Sequence, residues 1–220
     1  MIDNFLYLRK WKRTMKNVVI AVLFFCILVS CKGSSDKEIS KHSKDTSIYY
    51  KNLFKIGLIK DSIASVSFDL GSEYSAKGEY KKAKRFYQKS NEIEPNNKYI
   101  LSALGILSAD LKEEKDCIMY FDKSIEVDSL DGTTYMNYGA AFNRLNNFDK
   151  SIKVLDKGLK LENDLERKGY FYYNLANAYY KKKDYKKSNE LNNLALDIVK
   201  LPAVREDIIE LKKVLKELNQ

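Results

Sequence analysis

Few residues of this 220-residue chain are of the types that catalyse reactions by nucleophilic or acid–base chemistry. His42 is the only histidine, and the three cysteines show no CxxC spacing. A nucleophilic serine or cysteine needs a neighbouring base to activate it, and no such pair, nor a glycine-rich phosphate loop, stands in the sequence. Glu113 and Glu114 lie among lysines and are predicted to be solvated, whereas a catalytic carboxylate pair needs a sheltered cleft. The sequence therefore predicts no enzyme, no cofactor and no metal site.

The residues before Cys31 indicate a secretory signal. Residues 1–30 carry a net charge of +4 and contain an apolar run over residues 18–29. That run is shorter than the ~20 residues that a membrane-spanning helix needs. A basic segment, a short apolar run and then small residues are typical of a signal peptide. We predict a signal peptide over residues 1–30, with Met15 as an alternative start.

The sequence Leu28-Val29-Ser30-Cys31 resembles the lipobox of bacterial lipoproteins. This resemblance implies that the Cys31 thiol carries a diacylglyceryl group and that cleavage occurs just before it. Acyl chains would then hold the chain on the membrane; an uncleaved signal anchor is the alternative. Residues 31–46 have no apolar periodicity and are predicted to be a flexible tether. Lys32 replaces the aspartate associated with inner-membrane retention in some bacteria, so we expect the outer membrane of the envelope.

Glycines recur every 34 residues, at Gly71, Gly105 and Gly139. Glycine inside a helix costs about 1 kcal/mol relative to alanine, so three of them at one interval need a packing reason. The expected reason is that two helices cross too closely for a side chain. A fixed period of this size predicts stacked helical hairpins and not one closed core.

The period and the residues around it resemble the tetratricopeptide repeat, a helix–turn–helix unit of the same length. The matching residues in the first repeat are Leu70, Gly71, Tyr74, Ala83, Tyr87 and Pro95. The resemblance implies an all-α fold, a right-handed superhelix of about four repeats. The predicted segments are an N-terminal helix within 47–63, repeats over 64–97, 98–131, 132–165 and 169–202, and a capping helix within 203–220. Cys117 falls on a small buried position and is interpreted as an inert core thiol.

In such arrays the first helices of successive repeats line a concave groove. The predicted groove residues are Asn137, Asn143, Arg144, Tyr170, Tyr173, Asn174, Asn177, Tyr180 and Lys181. Asn137 and Asn174 share the repeat position at which asparagines of some family members bind a peptide backbone. An amide offers a donor and an acceptor together, and Arg144 and Lys181 are expected to favour an acidic segment. The basic clamp for C-terminal carboxylates is not matched.

These features predict an adaptor that is anchored in the bacterial cell envelope and binds a protein or peptide partner. The first 30 residues hold +4 of the total charge of +9, which leaves +5 for the other 190. That surplus is mild, so no nucleic-acid partner is predicted. One alternative is a lipoprotein that binds glycan or cell-wall fragments through the tyrosine-rich third and fourth repeats. Another is an accessory subunit of an enzyme.

Overall fold

The computed structural model describes residues 57–218, and within this range the chain forms helices joined by short turns, without strands. The helices are α1 Ser62–Ala76, α2 Tyr80–Ile93, α3 Lys98–Asp110, α4 Glu114–Val127, α5 Gly132–Arg144, α6 Phe148–Leu161, α7 Leu165–Lys181, α8 Tyr185–Ile198 and α9 Pro202–Leu218. None of them is both long and apolar enough to cross a lipid bilayer.

The helices form two layers. Each odd-numbered helix from α1 to α7 packs on the helix that follows it, and α2, α4 and α6 also pack on the first helix of the next pair. Successive first helices touch, α3 on α5 and α5 on α7, whereas successive second helices are not packed to that extent. The first helices therefore lie closer together, so the stack curves with α3, α5 and α7 on its inner, concave side. The apolar core follows the stack as three consecutive clusters.

The turns inside the pairs share one backbone conformation. Gly78, Lys112, Asn146 and Lys183 occupy equivalent positions and have φ between 58° and 74°. A residue in this left-handed region ends a helix, because the backbone amides that follow the helix then donate to the unpaired carbonyls of its last turn. Asn147 N, for instance, donates to Phe142 O at 2.9 Å. These turns lie between the paired helices, at residues 78–79, 112–113, 146–147 and 183–184.

The recurring glycines lie where two helices cross, as their spacing predicts. A Cβ atom on Gly71 would stand 2.6 Å from the ring of Tyr87, and one on Gly105 would stand 2.6 Å from the ring of Phe121. On Gly139 it would be 2.3 Å from Leu155 Cγ. Carbon atoms normally approach to about 3.5–4.0 Å, so no side chain larger than hydrogen fits without a shift of the neighbour.

Hydroxyl groups tie the same helix pairs together. Ser151 Oγ donates to Gly139 O at 2.8 Å, and Ser188 Oγ donates to Ala176 O at 2.8 Å. Both serines are fully buried. Each buried hydroxyl is hydrogen-bonded to a backbone carbonyl of the facing helix. Because the hydroxyl has this partner, serine can replace alanine at this position.

The three-residue shift before the fourth repeat lengthens a helix. Helix α7 has 17 residues, whereas α5 has 13. The loop before α7 is organised by Glu162, whose side chain is only 5% exposed. Its carboxylate accepts from the backbone amides of Asn163 and Asp164 and from two nitrogens of Arg167, at 2.7–2.9 Å. These bonds compensate for burying the charge.

The fourth repeat departs from the pattern at Asn192, where the other repeats hold an aromatic residue or leucine. This side chain is fully buried, and its Nδ2 atom donates to Ile208 O in α9 at 2.9 Å. The asparagine at this position therefore connects the fourth repeat to the last helix. That helix lies in the predicted capping segment and buries Val204, Ile208, Leu211 and Leu215, whereas Leu218 is exposed at the helix end.

The opposite end of the stack presents an apolar face. Ile63, Val66 and Leu70 of α1 are 62%, 59% and 36% exposed, whereas the residues equivalent to the last two, Ile100 and Leu104, are fully buried. The predicted N-terminal helix lies mostly outside the described residues. Residues 57–61, within its range, are not helical.

Candidate functional site

The predicted groove residues all lie on α5 and α7, which pack on each other on the concave side. Four of them are buried, namely Asn137, Tyr170, Tyr173 and Asn174, with 2–6% of their surface exposed. Those with more exposed surface lie toward the C-terminal ends of the two helices: Asn143, Arg144, Asn177, Tyr180 and Lys181. The accessible part of the predicted site is therefore one end of the concave face.

The asparagine amides on these helices use their NH₂ groups on backbone carbonyls. Asn143 Nδ2 donates to Asn174 O at 3.0 Å, which connects α5 to α7. Asn174 Nδ2 and Asn177 Nδ2 each donate at 3.0 Å to the carbonyl four residues earlier in α7. A carbonyl oxygen only accepts, so the NH₂ side of each amide must face it. One N–H of each of these three amides is thus engaged within the fold, and the expectation that Asn137 and Asn174 bind a peptide backbone stays a prediction.

The oxygen atoms of two buried amides lack a donor. Asn137 Oδ1 and Asn143 Oδ1 have no hydrogen-bond partner among the described residues, and Asn192 Oδ1 and Asn193 Oδ1 of α8 are in the same state. Buried polar atoms are nearly always satisfied. Asn137 and Asn143 both belong to α5, the helix between α3 and α7 in the inner layer.

Arg144 is engaged with Asp110, which lies 34 residues earlier at the equivalent position of α3. The Arg144 Nη1 and Asp110 Oδ1 atoms are 3.4 Å apart, and the two side chains are only 6% and 11% exposed. Asp110 was not among the predicted site residues, although the repeat period, combined with the opposite charges, was the signal for it. Asp110 offsets part of the charge of Arg144, and the expectation that Arg144 favours an acidic segment stays a prediction.

Lys181 is the exposed cation of the predicted set. Its Nζ atom lies 5.6 Å from the centre of the Tyr180 ring, a cation–π distance. The Tyr180 ring also contacts the ring of Tyr185, with centroids 5.9 Å apart. These contacts hold an amphipathic tyrosine at the accessible end of the concave face.

The two buried tyrosines have the character of core residues. Tyr170 and Tyr173 belong to the same apolar cluster as Met136 and Phe171. The Tyr170 hydroxyl donates to Glu166 Oε1 at 3.3 Å. Burial raises the pKa of Tyr170 well above its usual range, and the neighbouring Glu166 carboxylate adds to this rise. The hydroxyl is therefore a neutral donor at physiological pH.

Cys117 is fully buried, and burial raises its pKa to about 12. Only the thiolate is an effective nucleophile, so this thiol is inert at neutral pH, as interpreted from its repeat position. Among residues 57–218, no group of three or more histidine, cysteine or carboxylate side chains is arranged to hold a metal ion. Cys31 and His42 lie outside the described residues.

The geometry defines a class of protein: an all-α solenoid of paired helices with a concave inner face. Residues 64–97 and 132–165 match the family model of the tetratricopeptide repeat. No match was found among curated proteins. These two segments are tetratricopeptide repeats, a type of repeat that supports interactions between proteins.

Solved structures show the same fold at low sequence identity. A structure of PilW, described as a widely conserved type IV pilus biogenesis factor, is 17% identical with a TM-score of 0.54 and covers 62% of each chain. YrrB, a TPR protein with an unusual peptide-binding site, is 18% identical with a TM-score of 0.52, over 79% of this chain and 85% of that one. The Cut9–Hcn1 hetero-tetramer of APC/C is 13% identical with a TM-score of 0.60, over 82% of this chain but 34% of that one. This chain thus spans less than two thirds of PilW and of the Cut9–Hcn1 chain. Proteins of this fold are generally non-catalytic scaffolds.

Proposed function

We propose that this adaptor is anchored to a bacterial envelope membrane through Cys31 and docks an extended segment of a partner protein on its concave face. In this proposal the chain has no catalytic activity of its own. The lipid anchor rests on the lipobox-like residues around Cys31, and the outer membrane is the proposed location. The docking part rests on the described residues of α5 and α7.

The observation that carries the docking proposal is the pair of buried amide oxygens without donors, Asn137 Oδ1 and Asn143 Oδ1. Six residues of helix place these side chains about 9 Å apart along α5, the length of about three residues of an extended chain. Backbone N–H groups of such a chain are donors of the kind that these acceptors lack. Both oxygens are buried, so the side chains that cover them must shift when the chain docks. A peptide docked there would end near Tyr180 and Lys181, which offer an aromatic surface and one positive charge.

The comparison with YrrB is consistent with this proposal, since that structure is described as a TPR protein with a peptide-binding site. The glycan alternative would depend on the less buried tyrosines of these repeats, such as Tyr180, because Tyr170 and Tyr173 are only 2% and 5% exposed.

Site-specific photo-crosslinking in cells tests the docking proposal. A photoreactive amino acid at Tyr180 on the concave face is compared with one at Met119, which is 40% exposed on the outer helix α4. We expect a discrete protein adduct at Tyr180 and none of the same size at Met119. Adding Asn137→Ala to the Tyr180 probe should weaken the adduct while the melting temperature shows that the variant remains folded. Identical adducts at both probes would refute docking on the concave face.

The anchor is tested separately by metabolic labelling with a radioactive fatty acid. We expect label in the natural chain and none in a Cys31→Ala variant. Label retained by that variant would refute acylation at Cys31 and would leave the docking proposal standing. Membrane fractionation of the two chains then tests the proposed outer-membrane location.

A further inference from the structure

The outer side of the first repeat carries a straight row of positive charges. Lys81, Arg85 and Lys89 follow one another at intervals of four residues on α2, so they lie on one side of the helix over about 12 Å. All three are exposed. We call them the basic row.

The basic row differs from neighbouring lysines because its charges are not neutralised by neighbours. Lys82 pairs with Glu79, and Lys84 pairs with Asp116 at 2.8 Å and with Glu113. Among the described residues no acidic side chain forms an ion pair with Lys81, Arg85 or Lys89. Three uncompensated charges on one line produce a positive potential that extends into the solvent.

The equivalent positions of the later repeats lose this charge step by step. They hold two lysines and a methionine in α4, two lysines and an aspartate in α6, and Lys186, Glu190 and Leu194 in α8. All of these side chains are exposed. The net charge of the three positions therefore falls from +3 through +2 and +1 to zero along the stack.

Among the second helices of the repeats, the net positive charge is largest in the first, since α2 has a net charge of +4, α4 of −2 and α6 of +2. Helix α2 contains five basic residues and one acidic residue, whereas α4 contains two basic and four acidic residues. A nucleic acid lying along the full outer side would meet the acidic residues of α4. The charge distribution instead suits contact of one end of the stack with a broad anionic surface.

We propose that the basic row docks on an anionic lipid bilayer. The row belongs to the first repeat after Cys31 in the chain, and 25 residues lie between Cys31 and the start of the described range at residue 57. That length spans at most about 90 Å when fully extended. If Cys31 is acylated, the first repeat stays near the bilayer. This nearness to the bilayer is the only part of the proposal that rests on the proposed anchor.

This contact would orient the adaptor. Helix α2 belongs to the outer layer, and the concave face made by α3, α5 and α7 lies on the opposite side of the stack. When the basic row rests on lipid headgroups, the concave face is turned away from the bilayer. The proposed docking surface for a partner is then open to the aqueous phase.

The expected strength follows from the number of charges. Each lysine or arginine near an anionic membrane surface raises partitioning about fivefold, so three raise it about a hundredfold. The attraction decays over a Debye length of about 10 Å at moderate salt, and high salt should therefore abolish it.

Co-flotation of the purified full chain with lipid vesicles tests the proposal. Binding to vesicles that contain phosphatidylglycerol is compared with binding to phosphatidylcholine alone, and the ratio is the measured quantity. Residues 1–30 are common to all the chains, so their own contribution to binding cancels between variants. The test variant carries Lys81→Gln, Arg85→Gln and Lys89→Gln. The control carries Lys212→Gln, Lys213→Gln and Lys216→Gln, which removes the same charge from exposed positions of α9.

We expect anionic lipid to raise binding of the wild-type chain and of the control, and the test variant to lose about ten- to a hundredfold of that gain. Lysine acetylation followed by mass spectrometry adds a readout without mutation. Lys81 and Lys89 should be protected on anionic vesicles but not on neutral ones, while Lys212 and Lys213 react equally on both.

Three results would overturn the proposal. The first is an equal loss of binding in the test variant and in the control, which would show only an effect of net charge. The second is no gain of the wild-type chain from anionic lipid. The third is binding of a DNA duplex more tightly than anionic vesicles, with loss in the test variant, which would assign the row to nucleic acid. None of these results bears on the concave face, because the vesicles contain no protein partner.

Discussion

Replacing Gly105 with alanine sets two effects of opposite sign against each other. Alanine is favoured over glycine inside a helix by about 1 kcal/mol, so helix propensity alone predicts a more stable chain. The added Cβ atom, however, would stand 2.6 Å from Cε2 and 2.7 Å from Cδ2 of Phe121. Phe121 is fully buried, so its ring has no space to move into, and overpacking of this kind costs about 1–3 kcal/mol.

The midpoint of that range outweighs the propensity gain, so we expect Gly105→Ala to destabilise the chain by about 1 kcal/mol. Thermal unfolding followed by far-UV circular dichroism measures this difference. For a chain of this size, 1 kcal/mol corresponds to a decrease of about 2–4 °C in melting temperature. The sign of the change is the decisive result, since propensity and packing predict opposite signs.

Two further variants separate the effects. Ala176→Gly changes the equivalent position of the fourth repeat. It should cost the ~1 kcal/mol of helix propensity and, in addition, the burial of a methyl group, because Ala176 is fully buried. Phe121→Ala removes the ring, and in that background Gly105→Ala should become stabilising by about 1 kcal/mol, because only the propensity gain remains. A higher melting temperature for Gly105→Ala in the natural background would refute the close crossing as the reason for this glycine.

Three other predictions concern single side chains. Cys117, in a chain whose other two cysteines are replaced by serine, should resist thiol reagents at neutral pH while folded and react at once after denaturation, because burial raises its pKa to about 12. Asn192→Ala should cost about 1 kcal/mol by removing the hydrogen bond to Ile208 O, and amide exchange in α9 should increase more than in α1. The hydrogen bond from Lys98 lowers the pKa of Asp128 below its ordinary value. The ionised form thus stabilises the fold above about pH 4, and the melting-temperature difference between the natural chain and Asp128→Asn should vanish as the pH falls through the lowered pKa.

The fold could be predicted from the sequence because the repeat imposes the same steric condition several times. In each of these repeats a glycine is followed, sixteen residues later, by a large apolar residue, as Gly71 is by Tyr87 and Gly105 is by Phe121. This pairing has one simple physical explanation, which is a close helix crossing. A single such pair would be ambiguous, whereas the recurrence is not. The cap was predictable for a related reason, because the last repeat leaves an apolar face that a following amphipathic helix must cover.

The departures from the pattern were harder to interpret because each depends on a neighbour that the repeat does not specify. Asn192 breaks the pattern at a position that is aromatic in two of the other repeats, and only the three-dimensional arrangement shows that its amide reaches a carbonyl of α9. Glu162 lies in a loop and would pass for a surface residue, although it binds two backbone amides and Arg167. Neither function has a signature in spacing alone.

The concave face shows where the limit of sequence reasoning lies. The repeat register predicted that Asn137, Asn143 and Arg144 belong to a helix of the inner side. In the structure they lie on α5, which is such a helix. The register did not determine which atoms remain accessible, because that depends on how far one repeat is rotated relative to the next. In the fold, Arg144 pairs with Asp110 and Asn143 donates to the Asn174 carbonyl. Part of the predicted cationic, donor-rich surface is therefore engaged, while two buried amide oxygens lack donors. A partner that matches this surface is therefore selected by its backbone N–H groups more than by its charge, which is why substitution of Asn137 tests the docking proposal more sharply than substitution of Arg144.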